Sequence, residues 1–217
     1  MLIKSSKPQL VLVGGGGHCK VVVSILNKLN IFEIVGISDL PSLVSRTILG
    51  VEVKYCDDDL YLLHKSGTEF AFITLGSIEN SLYREKLFDL IKKIGFKIPT
   101  IISINSIIDE SVSICEGSVI MPGVIINTGV FIGKNSIINT GSIIDHDSRI
   151  GDHVHIAPGV TLSGSVKIGN CSHVGTGSTV IQNIEIGKNV LVGAGSVVVK
   201  NVVDGIKIYG NPAKERN

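Results

Sequence analysis

Three groups of residues in this 217-residue chain have types and spacings that can do chemistry. The first is Asp145-His146-Asp147. Histidine titrates near neutrality, and an adjacent carboxylate can orient its ring and favour the imidazolium. Such a group suits a general base that takes a proton from an attacking amine. The competing reading is a solvated surface histidine beside two solvated acids. The second group is His155 and His173, with His153 close in sequence. Paired imidazoles can begin a metal site, but a third ligand at the right geometry is needed. The third is the run Gly14-Gly15-Gly16-Gly17-His18-Cys19, which follows the apolar stretch Leu10 to Val13. Flexible backbone N–H groups in front of a helix suit phosphate. A dinucleotide fingerprint requires a third glycine where Cys19 stands, so the spacing argues against NAD. A purely structural strand-to-helix turn is the alternative.

The elements that position these residues can be read from their periodicity. Every sixth residue from Ile102 to Val198 is Ile, Leu or Val. A period of six fits neither a helix nor an ordinary strand, and is that of a hexapeptide β-helix. An ordinary β-sandwich would not hold this register without a break. Three hexads close one triangular coil, so residues eighteen apart stack at the strand spacing of about 4.8 Å. By that ruler His155 lies over His173, and Gly164 lies one coil from His146. The position four after each leader is Ser, Val or Ile, which suits a narrow interior. Glycine directly after a leader, as at Gly133, Gly151 and Gly175, is expected to serve corners with positive φ.

Before the hexads the pattern alternates strand and helix. Strands are expected at Leu10 to Val13, Glu33 to Ile37 (ending at Asp39), Val51 to Lys54 and Phe70 to Leu75. Helices are expected from Lys20 to Leu29, from Asp57–Asp59 through Leu63, and from Asn80 to Ile94. This order gives a parallel sheet covered by helices. Gly76 and Ser77 would then lie at the same sheet edge as the glycine run, while Arg84 falls within the last helix and suits a structural ion pair. Pro99 marks the join. The expected architecture is an α/β Rossmann-like domain over residues 1–98 followed by a left-handed parallel β-helix over 99–217.

Composition narrows the class. A net charge of +1 offers no electrostatic footprint for nucleic acid. No apolar stretch is long enough to cross a membrane and no signal-peptide pattern opens the chain, so no membrane partner is expected. Four scattered cysteines without a C-x-x-C pair fit a reduced, cytoplasmic protein.

Three segments together carry a more specific resemblance: VLVGGGGHCKVV from Val11 to Val22, INTGSIIDHD from Ile138 to Asp147, and GNPAK from Gly210 to Lys214. The combination is similar to the bacterial nucleotide-sugar N-acetyltransferases and their sialic-acid O-acetyltransferase relatives, which are hexapeptide-repeat acyltransferases. The resemblance implies acetylation by acetyl-CoA of the C4 amino group of a UDP- or dTDP-linked amino-deoxy sugar. It implies a homotrimer with sites between neighbouring prisms, and no metal. His146 would be the general base and Asp147 the group that raises its basicity. His155, Gly164, Thr176 and Ala194 would contact the cofactor. Gly15, Gly16 and Gly17 would approach the diphosphate, Asp39 the base or ribose, and His18, Gly76 and Asn139 the sugar. Other readings are O-acetylation of sialic acid or another sugar hydroxyl, a non-catalytic sugar-nucleotide-binding accessory protein, and a metal hydrase built on the same prism.

Overall fold

A computed structural model describes residues 7–77 and 81–215. Contacts divide the chain into two compact units, one of residues 1–76 and 86–99, the other of residues 77–85 and 100–217.

The first unit is a five-stranded sheet, β1 (Gln9–Val13), β2 (Glu33–Ser38), β3 (Thr47–Ile48), β4 (Val51–Tyr55) and β5 (Phe70–Ile73), in the order β3-β4-β2-β1-β5. The pairings of β1 with β2 and β5, and of β2 with β4, are parallel, and β3 adds an antiparallel edge. Interior strand β1 reads Leu-Val-Leu-Val after Gln9 and is buried there on both faces, as a covered parallel sheet requires. Helices α1 (Gly17–Leu29) and α2 (Leu60–Lys65) connect strands of the sheet, and α3 (Leu82–Ile94) follows β5. Helix α1 buries Cys19, Val22, Val23, Ile25 and Leu26 and ends on Asn30 in the left-handed conformation. It begins three residues earlier than the apolar spacing predicts. Extended Gly16 turns the chain straight off β1 into the helix, so the turn sets the start. A single turn at Asp57–Asp59 precedes α2, with Asp59 accepting the Cys56 N–H at 2.8 Å. Asn80, the expected start of the last helix, lies outside the described residues.

The second unit is the left-handed β-helix. Two-residue strands recur every six residues and build three parallel sheets. Face one carries Ile137–Ile138, His155–Ile156 and His173–Val174. Face two carries Ile125–Ile126, Ile143–Ile144 and Thr161–Leu162. Face three carries Phe131–Ile132, Arg149–Ile150 and Lys167–Ile168. The second residue of each strand is the leader and points inward. From Ile120 to Val198 every leader is at most 3 % exposed, whereas Ile102, in a coil with none beneath it, is 37 % exposed. The buried serines four after a leader are satisfied in a ladder. Ser136 Oγ donates to the Gly151 carbonyl at 2.9 Å and accepts the Val154 N–H at 3.1 Å. The interior polar groups therefore keep partners despite burial.

The corner glycines differ from expectation. Positive φ falls three residues after every leader from Ile114 to Val192, at Gly129, Gly141 and Gly159 and also at Asn135, Asp147 and His153. The glycines directly after a leader do another job, which is to let the next coil approach. A Cβ on Gly133 would lie 2.5 Å from the Gly151 carbonyl carbon, and one on Gly175 would lie 2.6 Å from the Ala194 nitrogen. Among the described residues, no helix is long and apolar enough to cross a membrane.

Candidate active site

Asp145, His146 and Asp147 occupy the corner between faces two and three, directly after the Ile143–Ile144 strand. The corner is fixed from below and above. Asp147 N–H donates to Thr128 O at 3.0 Å, and Ser165 N–H donates to His146 O at 2.8 Å. His146 Nδ1 lies 2.9 Å from Asp147 Oδ2. A carboxylate only accepts, so Nδ1 bears the proton and Nε2 is left as the basic lone pair. Asp145 Oδ1 caps the His146 backbone N–H at 2.8 Å and accepts Asn127 Nδ2 at 2.7 Å. These bonds, the Asn127 amide first, hold the Asp145 carboxyl below its usual range. The hydrogen bond to Asp147, followed by the charge of Asp145, pushes His146 above its ordinary value of 6.5. The pair is exposed, with side-chain accessibilities of 53 % for His146 and 67 % for Asp147.

Two glycines make room for this pair. A Cβ on Gly164 would lie 2.6 Å from His146 Cε1, and one on Gly129 would lie 2.8 Å from Asp147 Oδ1. Gly164 thus sits beside the His146 ring.

For His146 to act as a general base its ring must be uncharged, and the acid limb of kcat/KM should then lie above pH 6.5. Asp147→Asn removes the main cause of the raised pKa and should move that limb to lower pH as it lowers kcat. A pH–rate profile of both proteins checks this.

A second site lies on the corner between faces one and two. His155 is 8 % exposed at the foot of a groove of about 430 Å³ lined also by Asn139, Pro158, Thr176, Ala194 and Tyr209. Asn139 Nδ2 lies 3.1 Å from His155 Nε2, and His155 Nδ1 lies 2.6 Å from the Ser77 carbonyl oxygen. Burial, and then the neighbouring His173, lower the His155 pKa to about 4. The His155 and His173 rings meet edge to face with centroids 4.7 Å apart, as the eighteen-residue ruler requires. His153, close in sequence to the pair, is half-buried and faces Asn135 Nδ2 at 3.0 Å. His146 lies on another corner. Among the described residues no three His, Cys, Asp or Glu side chains gather as metal ligands. Arg84 is buried; its Nε donates to the Asn135 carbonyl at 3.3 Å, and burial lowers its pKa to about 9.

The third site is the turn after β1. Gly14 has φ +104°, and a Cβ there would meet the Leu75 nitrogen at 3.0 Å. Gly15 N–H donates to Asp39 Oδ2 at 2.5 Å, and Leu40 N–H donates to Asp39 Oδ1 at 2.7 Å. Asp39, expected to bond a ligand, clamps the glycine turn; each oxygen keeps a further lone pair. Gly16 and Gly17 are exposed at the N-terminus of α1 with open space above their Cα atoms. His18 follows in the first turn, its Cβ beside Gly76. Cys19 is buried, and burial raises its thiol pKa.

The structure therefore gathers Gly15, Gly16, Gly17, His18, Asp39 and Gly76 at one sheet end. It gathers Asn139, His155, Thr176 and Ala194 in one groove, and His146, Asp147 and Gly164 on another corner. Asn127 and Gly129 went unread, although each lies eighteen residues before a site residue. Ser77 and Tyr209 gave no periodic signal.

Residues 9–91 match the family model of the PglD N-terminal domain, and residues 129–164 match that of the bacterial transferase hexapeptide of six repeats. No curated protein sequence matches the chain. Among solved structures, a mutant of perosamine N-acetyltransferase from Caulobacter crescentus, in complex with CoA and GDP-perosamine, is 35 % identical, with 96 % of this chain and 97 % of that one covered and a TM-score of 0.91. The acetyltransferase domain of PglB from Neisseria gonorrhoeae, in complex with acetyl coenzyme A, is 30 % identical over 97 % and 100 %, with a TM-score of 0.86. WeeI from Acinetobacter baumannii is 31 % identical over 95 % and 99 %, with a TM-score of 0.83.

Proposed function

The chain belongs to the bacterial nucleotide-sugar N-acetyltransferase family of hexapeptide-repeat acyltransferases, and on that premise we propose that it acetylates the amino group of a nucleotide-linked amino-deoxy sugar from acetyl-CoA. The observation that carries the reading is His146 with its Nδ1 proton held by Asp147, which leaves Nε2 as a raised-pKa base on an open corner. His146 Nε2 takes a proton from the amine as the nitrogen attacks the thioester carbonyl. The C–N bond forms, the C–S bond breaks, and the thiolate leaves as CoA and regains a proton from the imidazolium. No acyl-enzyme is needed. Burial raises the thiol pKa of both Cys19 and Cys171, which opposes a thiolate nucleophile.

The glycine turn at the start of α1 suits the diphosphate, with Gly15, Gly16 and Gly17 offering backbone N–H groups. His18, Asp39 and Gly76 line the same sheet end, whereas Asn139, expected at the sugar, lines the groove with His155. The nucleotide is UDP or dTDP by the sequence resemblance, and GDP is added as a third candidate because a relative carries it. Thermal-shift titration with UDP, dTDP and GDP ranks them. Failure of all three to bind would favour a free sugar hydroxyl as acceptor.

Face two supports a trimer. Its outward residues include Ile107, 68 % exposed, and Ile143, 38 % exposed, with half-buried Ile125 and Val197. An apolar face of this kind calls for a partner. In a cyclic head-to-tail ring, one flank of face two meets the other flank of its neighbour. His146 of one protomer would then adjoin the Thr176–Ala194 groove of the next. Co-expressed His146→Ala and Ala194→Trp chains, each inactive alone, should regain activity in mixed trimers. Mixed trimers without activity would contradict the shared site.

A further inference from the structure

The hydrogen bonds around His155 have a direction that chemistry settles. Its Nδ1 faces the Ser77 carbonyl at 2.6 Å. A carbonyl only accepts, so Nδ1 bears a proton. Burial, then the nearby His173 ring and, to a lesser degree, the Arg84 charge oppose a second proton and lower the pKa to about 4. At neutral pH the ring is therefore uncharged, and Nε2 is a lone pair. Only the NH2 side of Asn139 can face that lone pair, at 3.1 Å. Asn139 Oδ1 then accepts the Thr140 N–H at 2.8 Å, which fixes the other end of the carboxamide. One Nδ2 proton is used. The other has no partner among the described residues, and Asn139 lines the groove with Pro158, Thr176 and Ala194.

We propose that Asn139 and His155 act as one unit, in which His155 is a positioning residue and Asn139 offers its remaining Nδ2–H to a carbonyl oxygen of the acyl-pantetheine arm. This rests on the acetyl-CoA reading above. His155 cannot itself donate to the acyl group, because its one proton is committed to Ser77. Its contribution is to hold the carboxamide still, so that the donor needs no reorganisation when the arm arrives.

Nitrogen-15 NMR of the full-length protein should show His155 as the neutral Nδ1–H tautomer at pH 7, with no titration near 6.5. An Nε2–H tautomer, or titration at the ordinary value, would overturn the assignment. Asn139→Asp places an acceptor against Nε2 and should raise the His155 pKa above that of the parent, which a merely structural contact would not do. In steady-state kinetics, Asn139→Ala and His155→Ala should each raise KM for acetyl-CoA about tenfold, the equivalent of one lost hydrogen bond. The double variant should be no worse than the weaker single variant. Multiplied losses, on the order of 100-fold, would contradict a single unit. The NMR results need no turnover, so they separate failure of this proposal from failure of the acetyl-transfer reading.

Discussion

Replacing His146 with alanine should lower kcat at least about 100-fold at neutral pH, the low end of a general base's contribution. The amine of the acceptor is mostly an ammonium at that pH and cannot attack. Asp147 remains, but a carboxylate is too weak a base to replace the imidazole. Stability should hardly change, because the His146 side chain is 53 % exposed and its ring bonds Asp147 and lies against the face of Gly164, both on the open corner. Acetyl-CoA affinity should survive, since the groove at His155 lies on another corner. Raising the pH should restore part of the loss, as more of the acceptor arrives as free amine. A variant with near wild-type turnover at neutral pH would remove His146 from the mechanism.

Gly164→Ala should be the second most damaging of the small changes, and it should act without unfolding the protein. The new Cβ would lie 2.6 Å from His146 Cε1, so the ring must move. Gly164 does not sit in the positive-φ region, so alanine fits the backbone. What gives way is the end of an exposed side chain, and the β-helix keeps its register. A displacement of about 1 Å at a catalytic group can cost on the order of 100-fold in rate. The expected result is a large fall in kcat with a melting temperature close to that of the parent. Gly175→Ala is the contrasting control, because its Cβ would meet the Ala194 backbone nitrogen at 2.6 Å and no side chain can yield. That variant should lose stability first. Equal melting losses in both would mean that Gly164 serves packing and not the base.

The β-helix was legible because its signal is redundant. The leaders hold one register, and a ruler of eighteen residues places His155 over His173 and Gly164 one coil from His146, as the structure has them. The same ruler could have found Asn127 beneath Asp145 and Gly129 beneath Asp147. What it could not give was the conformation of each corner. Positive φ falls at Asp147 and His153, three after a leader, whereas residue type suggested the glycines directly after one. Side-chain partners set by distant chain were also hidden. Ser77, which fixes the His155 tautomer, lies 78 residues away without a repeat to mark it. Asp39 was recognised at the end of β2, but its engagement with the Gly15 N–H depends on the depth of the turn. The separation of His146 and the His155 groove onto two corners follows from counting hexads. The proposal that a neighbouring copy completes the site rests on the apolar face between them.

The central claim is transfer of an acetyl group to the nitrogen of a nucleotide-linked amino sugar. The most direct measurement is CoA thiol release from acetyl-CoA across UDP-, dTDP- and GDP-linked 3- and 4-amino sugars and free sialic acid, with mass analysis of each product. The account predicts thiol release with at least one nucleotide-linked amino sugar, an amide product, and loss of both in His146→Ala. Release with sialic acid alone, giving an ester, would contradict it, as would no release with any acceptor.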